Sequence, residues 1–416
     1  MGMTMTEKIL KRASGTHKIR TGEYVTAKID LAFVIDGSQV YKALKEANIT
    51  EVWDVSKVVS IIDHAVPAPS IKVAEEHKII RQGVRDFGIK TAYGERAGIC
   101  HQVLVEKGHV MPGMLIVGID SHSTTYGALG AAGTGIGYTE MAYVLKTGSI
   151  WLRVPETVKF NMIGTLEQKV MSKDIILYIL GEYSAEVAQY KAIEFTGTGA
   201  HELSIASRMT MSNMGVELGA KFAFFEADEQ TINFLRKKTN LPLESFKADS
   251  DAIYEHTYNI DLNSIEPQIA LPHTVDNVKP ISEIGEIKID QAFLGSCTNG
   301  RLEDLEVAAN ILKGRKIHPD VRMIIIPASW EIYLEAIHKG LIDIFISAGA
   351  LIGPPGCGPC LGNHLGIIGA GERCIGTHNR NFKGRMGSNE AEVYLGSPAT
   401  VAASAVEGKI VDPRNY

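Results

Sequence analysis

Short apolar runs alternate with amphipathic stretches along most of the chain, which predicts an α/β protein with largely parallel sheets. Buried strands are predicted by the apolar runs at 58–62, 114–119, 291–294 and 323–326. Helices are predicted, from apolar residues at helical spacing, over 71–87, 302–312 and 331–338. The sequence contains no periodic repeat and no low-complexity tract.

Two boundaries divide the chain into three predicted α/β domains. The first boundary lies near Pro155, ahead of a strand-like run at 157–163. The second lies at 279–285, after a polar segment that carries several prolines. The predicted domains are therefore 1–155, 156–283 and 284–416.

The composition is that of an ordinary globular protein, with 45% hydrophobic residues, 22% charged residues and a net charge of −6. Lysine and arginine are scattered along the 416 residues, which excludes the basic footprint of a nucleic-acid-binding protein. Five cysteines, an odd number, fit a reducing compartment better than a disulfide framework. No apolar run approaches the ~20 residues of a membrane span, and nothing resembles a signal peptide. We therefore expect a cytoplasmic protein with neither nucleic-acid nor membrane partners.

Polar groups directly follow three of the predicted strands, and they are Asp63-His64, Asp120-Ser121-His122 and Cys297. In open α/β sheets ligands bind at this carboxyl edge, so we expect the three groups to meet. A histidine beside an aspartate keeps a defined tautomer and can exchange a proton near neutral pH. Either pair alone could be a surface turn, and His101 alone could be a buried core histidine, but their shared edge favours catalysis.

Three cysteines lie in loops rich in glycine and proline, namely Cys297, Cys357 and Cys360. Cys-Gly-Pro-Cys also occurs in thioredoxin-type redox sites, but too few residues follow it here to complete that domain. A structural zinc site with His364 as the fourth ligand is a second possibility, although Cys297 lacks the neighbouring cysteine of a zinc knuckle. A third is an iron–sulfur cluster with three thiolates and one open iron that acts as a Lewis acid.

The remaining cysteines and one basic loop complete the candidate chemistry. Cys100 and Cys374 lie in apolar surroundings and are predicted to be buried thiols. The segment 379–385, Asn-Arg-Asn-Phe-Lys-Gly-Arg, places two guanidinium groups five residues apart. Arginine binds carboxylates through two parallel hydrogen bonds, so the loop suits a di- or tricarboxylic acid, although such a loop alone could simply be solvated.

Together these motifs resemble the aconitase superfamily, and in particular its isopropylmalate dehydratase large subunits. The resemblance covers essentially the whole chain, and its most specific signatures are Gly-Ser-Cys-Thr-Asn-Gly at 295–300, the Cys357/Cys360 pair, Asp-Ser-His at 120–122 and the loop at 379–385. It implies a three-domain α/β/α body with an iron–sulfur cluster and without the family's C-terminal swivelling domain.

The resemblance also implies a role for each matching residue. A 4Fe–4S cluster with one open iron would be held by Cys297, Cys357 and Cys360. Asp63 and His64 would form the general acid at the leaving hydroxyl group. Water at the open iron would be held by Asp120, His101 and His122, with Glu217 orienting the last of these. Substrate binding is implied for Gln39, Ser121, Asn213, Asn379, Arg380 and Arg385.

The catalytic base of the family is a serine in a Gly-Ser-Ser-Arg-Glu-His-type segment, and this sequence has no such segment. The resemblance therefore implies a small subunit that carries the swivelling domain and the serine, in a heterodimer or heterotetramer. The implied reaction converts 2-isopropylmalate to 3-isopropylmalate by dehydration and rehydration, a step of leucine biosynthesis. Homocitrate and 2,3-dimethylmalate are alternative substrates, and a zinc-stabilised, non-catalytic scaffold is the alternative from a different class.

Overall fold

The computed structural model describes residues 2–416, and its first region forms a five-stranded sheet and a two-stranded ribbon. The strands of this region are β1 (Tyr24–Lys28), β2 (Leu31–Ile35), β3 (Val58–Ile61), β4 (Thr91–Tyr93), β5 (Leu115–Gly118), β6 (Ala132–Gly135) and β7 (Ser149–Arg153). Its helices are α1 (Met5–Ser14), α2 (Ser38–Glu46), α3 (Ile71–Asp86), α4 (Cys100–Glu106) and α5 (Tyr138–Thr147). The parallel sheet has the order β4-β3-β2-β5-β6, and β1 pairs antiparallel with β7.

The second region is a four-stranded parallel sheet of order β10-β9-β8-β11. Its strands are β8 (Thr157–Ile163), β9 (Ala192–Thr196), β10 (Phe222–Phe225) and β11 (His256–Asp261). Its helices are α6 (Ser172–Tyr183), α7 (Thr198–Glu202), α8 (Ile205–Asn213) and α9 (Glu229–Arg236).

The third region is a seven-stranded sheet. Its strands are β12 (Gln268–Ala270), β13 (Val278–Pro280), β14 (Gln291–Leu294), β15 (Arg322–Ile325), β16 (Leu351–Ile352), β17 (Arg373–Gly376) and β18 (Glu392–Leu395). Its helices are α10 (Ser296–Asn299), α11 (Leu302–Leu312), α12 (Trp330–His338), α13 (Leu341–Ala348) and α14 (Pro398–Glu407). The strand order is β13-β12-β18-β17-β14-β15-β16, and the pairs that include β12 are antiparallel whereas the others are parallel.

Short 3-10 helices connect these elements at Ser121–Leu129, Met214–Leu218, Leu262–Ser264, Ile281–Glu283, Gly358–Leu361 and Pro413–Asn415. Strands β12 and β13 precede residue 284 and still pair into the third sheet. The domain limits at 155/156 and 283/284 stay predictions. Within residues 2–416, no helix combines the length and apolar character that crossing a bilayer requires.

The apolar pattern explains why these sheets are parallel and central. Every residue of β2, β3, β5, β10 and β14 is buried, as expected for strands covered by helices on both faces. The predicted α/β class is therefore confirmed, and the predicted strands and helices occur within two residues of their expected bounds. Helix α3 begins where predicted because the Ser70 hydroxyl accepts the Val73 N–H at 3.3 Å.

Candidate active site

One cavity lies where β3, β5 and β14 end, and its lining unites most of the predicted site residues. It is lined by Asp63, His64, Ile99, Cys100, His101, Asp120, Ser121, His122, Ser296, Cys297, Cys357, Cys360, Leu361, Asn379, Arg380 and Arg385. The carboxyl ends of strands from two different sheets therefore face the same space, as the shared position of the motifs predicted.

Asp63 and His64 form a direct pair just past the end of β3. The Asp63 Oδ1 lies 2.5 Å from His64 Nδ1, and Asp63 Oδ2 accepts the Cys100 N–H at 2.7 Å. The Asp63 side chain is fully buried, whereas the imidazole keeps 21% of its surface exposed. The aspartate is thus fixed on both oxygens and holds one edge of the ring, while the opposite edge with Nε2 faces Asp120.

Asp36 is a third residue that contacts His64, and the sequence motifs did not indicate it. It follows β2, in a backbone conformation with φ of 40°, and its Oδ2 accepts the His64 N–H at 2.9 Å. The same oxygen lies 3.1 Å from His64 Nδ1. A non-glycine residue with positive φ costs conformational energy, and such residues concentrate at functional sites. Asp36 therefore fixes both the loop and the ring of His64.

Asp120 is the centre of a second group, in which one carboxylate meets three imidazoles. Its Oδ1 lies 2.7 Å from His101 Nε2 and accepts the His122 N–H at 2.7 Å, while its Oδ2 lies 3.6 Å from His64 Nε2. The Tyr126 hydroxyl lies 3.1 Å from His101 Nδ1. Both nitrogens of His101 are therefore engaged, which fixes this buried ring against the cavity.

His122 connects this group to the second sheet region. Its Nε2 lies 3.0 Å from Glu217 Oε1, and the same oxygen accepts the Arg380 Nε–H at 2.9 Å. Glu217 comes from the 3-10 helix Met214–Leu218 and does not line the cavity itself. It thus stands behind His122, as predicted, and also holds the first arginine of the 379–385 loop.

The charges in the cavity follow from these contacts. Burial alone would raise the pKa of Asp120, but His101, His122 and His64 together hold it well below its ordinary value. Burial alone would lower the pKa of His64, but the Cys357 thiol, Asp63, Asp120 and Asp36 raise it well above its ordinary value. A protonated imidazole facing ionised carboxylates is the arrangement that a general acid requires.

The three predicted cysteine ligands reach the cavity from two loops, and all three thiols are buried and free. Cys297 lies in α10 and Cys360 in the 3-10 helix Gly358–Leu361, and their Sγ atoms lie 3.9 Å and 3.8 Å from the same atom, Asn379 Oδ1. Arg385 Nη2 lies 3.7 Å from Cys360 Sγ. Buried thiols that face one cavity, without a disulfide between them, are candidate ligands for a metal group.

The loops that carry these thiols have strained or glycine-dependent backbones. Ser296, next to Cys297, adopts φ of 70°, although it is not a glycine. Gly358, next to Cys357, adopts φ of 54°, and a Cβ there would lie 2.2 Å from Ile326 Cδ1. Only glycine fits the second position, so the Cys357–Cys360 turn packs tightly against the end of β15.

The spacing of the thiols bears on which metal group they fit. In a tetrahedral zinc site with Zn–S bonds of about 2.3 Å, the sulfur atoms lie about 3.8 Å apart. Among residues 2–416, only Asp36, Asp63 and His64 bring three ligand atoms within 4.8 Å of one another. The three thiols are therefore spread more widely than a single zinc ion requires, and this spread suits a group of several metal atoms.

The other two cysteines are both buried, as predicted, but their surroundings differ. Cys374 lies in β17, within the third sheet and outside the cavity lining, and burial raises the pKa of its thiol to about 12. Cys100 lines the cavity, and burial together with Asp63 and Asp120 raises its pKa well above the ordinary value. Asp120 also raises the pKa of Cys297, and Asp63 also raises the pKa of Cys357, so the direction of the shift does not distinguish Cys100 from the three predicted ligands.

The remaining predicted residues occupy different positions. Asn213, at the end of α8, hydrogen-bonds Asn379, whose Nδ2 lies 3.7 Å from Cys297 Sγ. Gln39 lies exposed in the first turn of α2 and is absent from the cavity lining. His364, considered as a zinc ligand, has its Nε2 2.9 Å from the Pro67 carbonyl oxygen and also lies outside the lining.

Comparison with known proteins agrees with the α/β fold and with the site described above. The sequence model of the aconitase family (aconitate hydratase) matches residues 7–286 and 282–408. The chain therefore belongs to the aconitase family, as the sequence motifs indicated.

Within this family, the chain is similar over its full length to large subunits of two kinds. The 3-isopropylmalate dehydratase large subunit 1 of Methanopyrus kandleri is 51% identical, with 100% of each chain covered. The probable methanogen homoaconitase large subunit of Methanothermobacter thermautotrophicus is 46% identical, with 99% of this chain and 98% of that protein covered. In fold, the chain is similar to the crystal structure of Thermococcus kodakaraensis aconitase X in its holo-form. That likeness has a TM-score of 0.50 and 14% identity, and covers 88% of this chain and 84% of the other.

Proposed function

We propose that this chain is the large subunit of a 3-isopropylmalate dehydratase, a hydro-lyase that interconverts 2-isopropylmalate and 3-isopropylmalate. The observation that carries the proposal is the meeting of three buried thiols with the Asp63–His64 and Asp120 groups in one cavity. Similarity over the full length to large subunits of that name supports it, because the candidate residues belong to all three regions of the chain.

The cofactor of the proposed enzyme is a 4Fe–4S cluster held by Cys297, Cys357 and Cys360. The spread of these thiols supports a cluster over the single zinc ion of a non-catalytic scaffold. When bound, the cluster supplies a Lewis-acidic iron that polarises the substrate's hydroxyl group. Three protein ligands for four irons leave one iron for the substrate.

The proposed proton transfer begins at His64. His64 Nε2 donates a proton to the departing hydroxyl oxygen, while Asp63 and Asp36 hold the ring through its Nδ1. The released water is held by Asp120, His101 and His122, with Glu217 fixing the last imidazole. In the rehydration step the same groups return the water to the neighbouring carbon.

Substrate carboxylates are proposed to bind to Ser121, Arg380 and Arg385, all of which line the cavity. The buried Nε of Arg385 has no hydrogen-bond partner among the described residues, so this guanidinium has free capacity for a ligand. The substrate-binding roles of Gln39, Asn213 and Asn379 stay predictions.

The proton on carbon is proposed to be removed by a serine of a separate small subunit. The name "large subunit" carried by the relatives supports a two-subunit enzyme. A heterodimer or heterotetramer would place the swivelling domain of that subunit over the open side of the cavity.

A second candidate function is that of a homoaconitase large subunit, which acts on homocitrate. The 46% identity to a probable methanogen homoaconitase large subunit supports it. The cavity holds the groups for dehydration and for carboxylate binding, which both reactions need, so we expect the small subunit to select the substrate.

Anaerobic purification followed by a paired assay tests the proposal. We expect a brown protein with about four irons and four sulfides per chain, as a cysteine-ligated 4Fe–4S cluster gives. With a small subunit added, 2-isopropylmalate should be converted to 3-isopropylmalate, as followed by NMR, and homocitrate serves as the competing substrate. A colourless protein with one zinc ion, or turnover of homocitrate alone, would overturn the assignment.

A further inference from the structure

Lys173 is a buried cation that the proposed mechanism does not use. It is the second residue of α6, and it has a relative solvent exposure of 0%. Its Nζ donates to the carbonyl oxygens of Thr377 at 2.9 Å and of His378 at 2.7 Å. Both partners are neutral, so the ammonium group has hydrogen bonds without a carboxylate to balance its charge.

The adjacent acid does not supply that balance. Asp174 Oδ2 accepts the Met171 N–H at 2.8 Å, and its Oδ1 accepts the Gln268 N–H at 2.9 Å. Burial raises the pKa of Asp174 to about 7, against the opposing effect of Lys173, so this carboxyl group is only partly ionised in neutral solution. Its two oxygens are directed to the backbone, at the cap of α6 and the start of β12.

Two of the proposed cluster ligands would act on Lys173 as negative charges once they are thiolates. Burial lowers the pKa of Lys173 to about 7, and the thiols of Cys297 and Cys360 oppose this effect ahead of Glu217 and Asp304. By contrast, Arg301, the other buried cation behind Cys297, has Asp304 as its strongest acidic neighbour.

The hydrogen bonds of Lys173 reach the segment that contacts the same thiols. Thr377 and His378 immediately precede Asn379, whose side-chain amide lies against Cys297 and Cys360. Lys173 thus contacts the backbone next to Asn379, and its own side chain is closed to solvent.

A buried ammonium group without an ionised partner is costly, and such groups are normally paired. The metal-bound form of this site provides a partner, because bound cysteines are thiolates and add negative charge. We infer that Lys173 is the buried counter-charge of the iron–sulfur cluster, a positioning and redox-tuning residue that favours the reduced, more negative cluster. This inference rests on the proposed function, because it requires the cluster.

Three variants of the full chain, reconstituted anaerobically, test this role. Lys173→Gln removes the charge and keeps an N–H donor, whereas Lys173→Arg keeps the charge. Lys221→Gln is the matched control, because Lys221 is a half-buried lysine whose pKa burial also lowers, without a cysteine among its influences. The measurements are the one-electron midpoint potential of the cluster, from a reductive titration followed by EPR, and the thermal midpoint of the apoprotein.

For Lys173→Gln we expect a more negative potential, because a fixed positive charge nearby stabilises the added electron. At a fixed applied potential the ratio of reduced to oxidised cluster should fall at least tenfold, which corresponds to about 59 mV for one electron. Lys173→Arg and Lys221→Gln should keep the wild-type potential. The Lys173→Gln apoprotein should melt no lower than wild type, because the change removes a buried amine that is costly to protonate.

The other possible results show whether the counter-charge role or the proposed function is wrong. An unchanged potential in Lys173→Gln, or an apoprotein of that variant that unfolds, would overturn the counter-charge role in favour of a purely structural one. If Lys173→Gln folds but binds no cluster, the Lys173→Arg variant decides the question. Cluster binding by Lys173→Arg supports the counter-charge role, whereas absence of the cluster from both variants contradicts it. A wild-type chain that never acquires a cluster refutes the proposed function instead.

Discussion

The contact between Asp36 and His64 gives the sharpest prediction for the catalytic step. Asp36 accepts the His64 N–H at 2.9 Å and approaches the ring nitrogen Nδ1 to 3.1 Å. Asp36→Asn keeps one oxygen for the backbone N–H but removes the negative charge beside the ring. A hydrogen bond to a charged group contributes about 1.5–3 kcal/mol. Because about 1.4 kcal/mol corresponds to a factor of ten in rate, we expect kcat to fall about 10- to 100-fold.

Steady-state kinetics of the complete two-subunit enzyme measure this effect. KM should change less than about threefold, because Asp36 does not line the cavity and an interaction lost only in the transition state lowers kcat. Iron content should stay at the wild-type level. Asp54→Asn is the control, since this aspartate caps a turn with Ser56 ahead of β3, at the end of the strand away from His64. A wild-type kcat in Asp36→Asn, or an equal loss in the control, would refute the positioning role.

Three further predictions concern the cofactor, the partner and stability. Replacing Cys297, Cys357 or Cys360 by serine should abolish the visible cluster absorption, whereas Cys100→Ser and Cys374→Ser should retain it; the reverse pattern would contradict the ligand assignment. The isolated chain should bind iron, but its rate should be about 10²–10⁴ lower than that of the two-subunit enzyme because the catalytic base is absent. Titration with the small subunit should restore turnover at one-to-one stoichiometry. Full activity of the isolated chain would instead place the base in this chain. Burial raises the pKa of Glu194 from 4.5 to about 7, so between these values the unfolded chain releases a proton that the folded protein keeps, and stability falls as the pH rises. Glu194→Gln should therefore gain up to about 3 kcal/mol at pH 8 relative to pH 4.5 in denaturant titrations, and an equal effect at both pH values would exclude the buried charge as the cause.

The sequence alone determined the fold class and the position of the chemistry. Parallel strands buried on both faces require continuous apolar runs, so β3, β5 and β14 were visible as such. The Asp63-His64 and Asp120-Ser121-His122 turns are contiguous in the chain and follow those runs directly. Local order along the chain was therefore enough to predict that they share one edge.

Only the tertiary structure decided which partner each group has. Asp36 meets His64 across 28 positions, and Lys173 meets Thr377 across 204. Asp36 is a single aspartate before a glycine, and Lys173 has the sequence pattern of an ordinary surface lysine in a first helical turn, so neither carried a local signal. Their roles arise from burial and from packing between separate sheets, because these long-range contacts set the local charge and dielectric, and a sequence pattern contains neither.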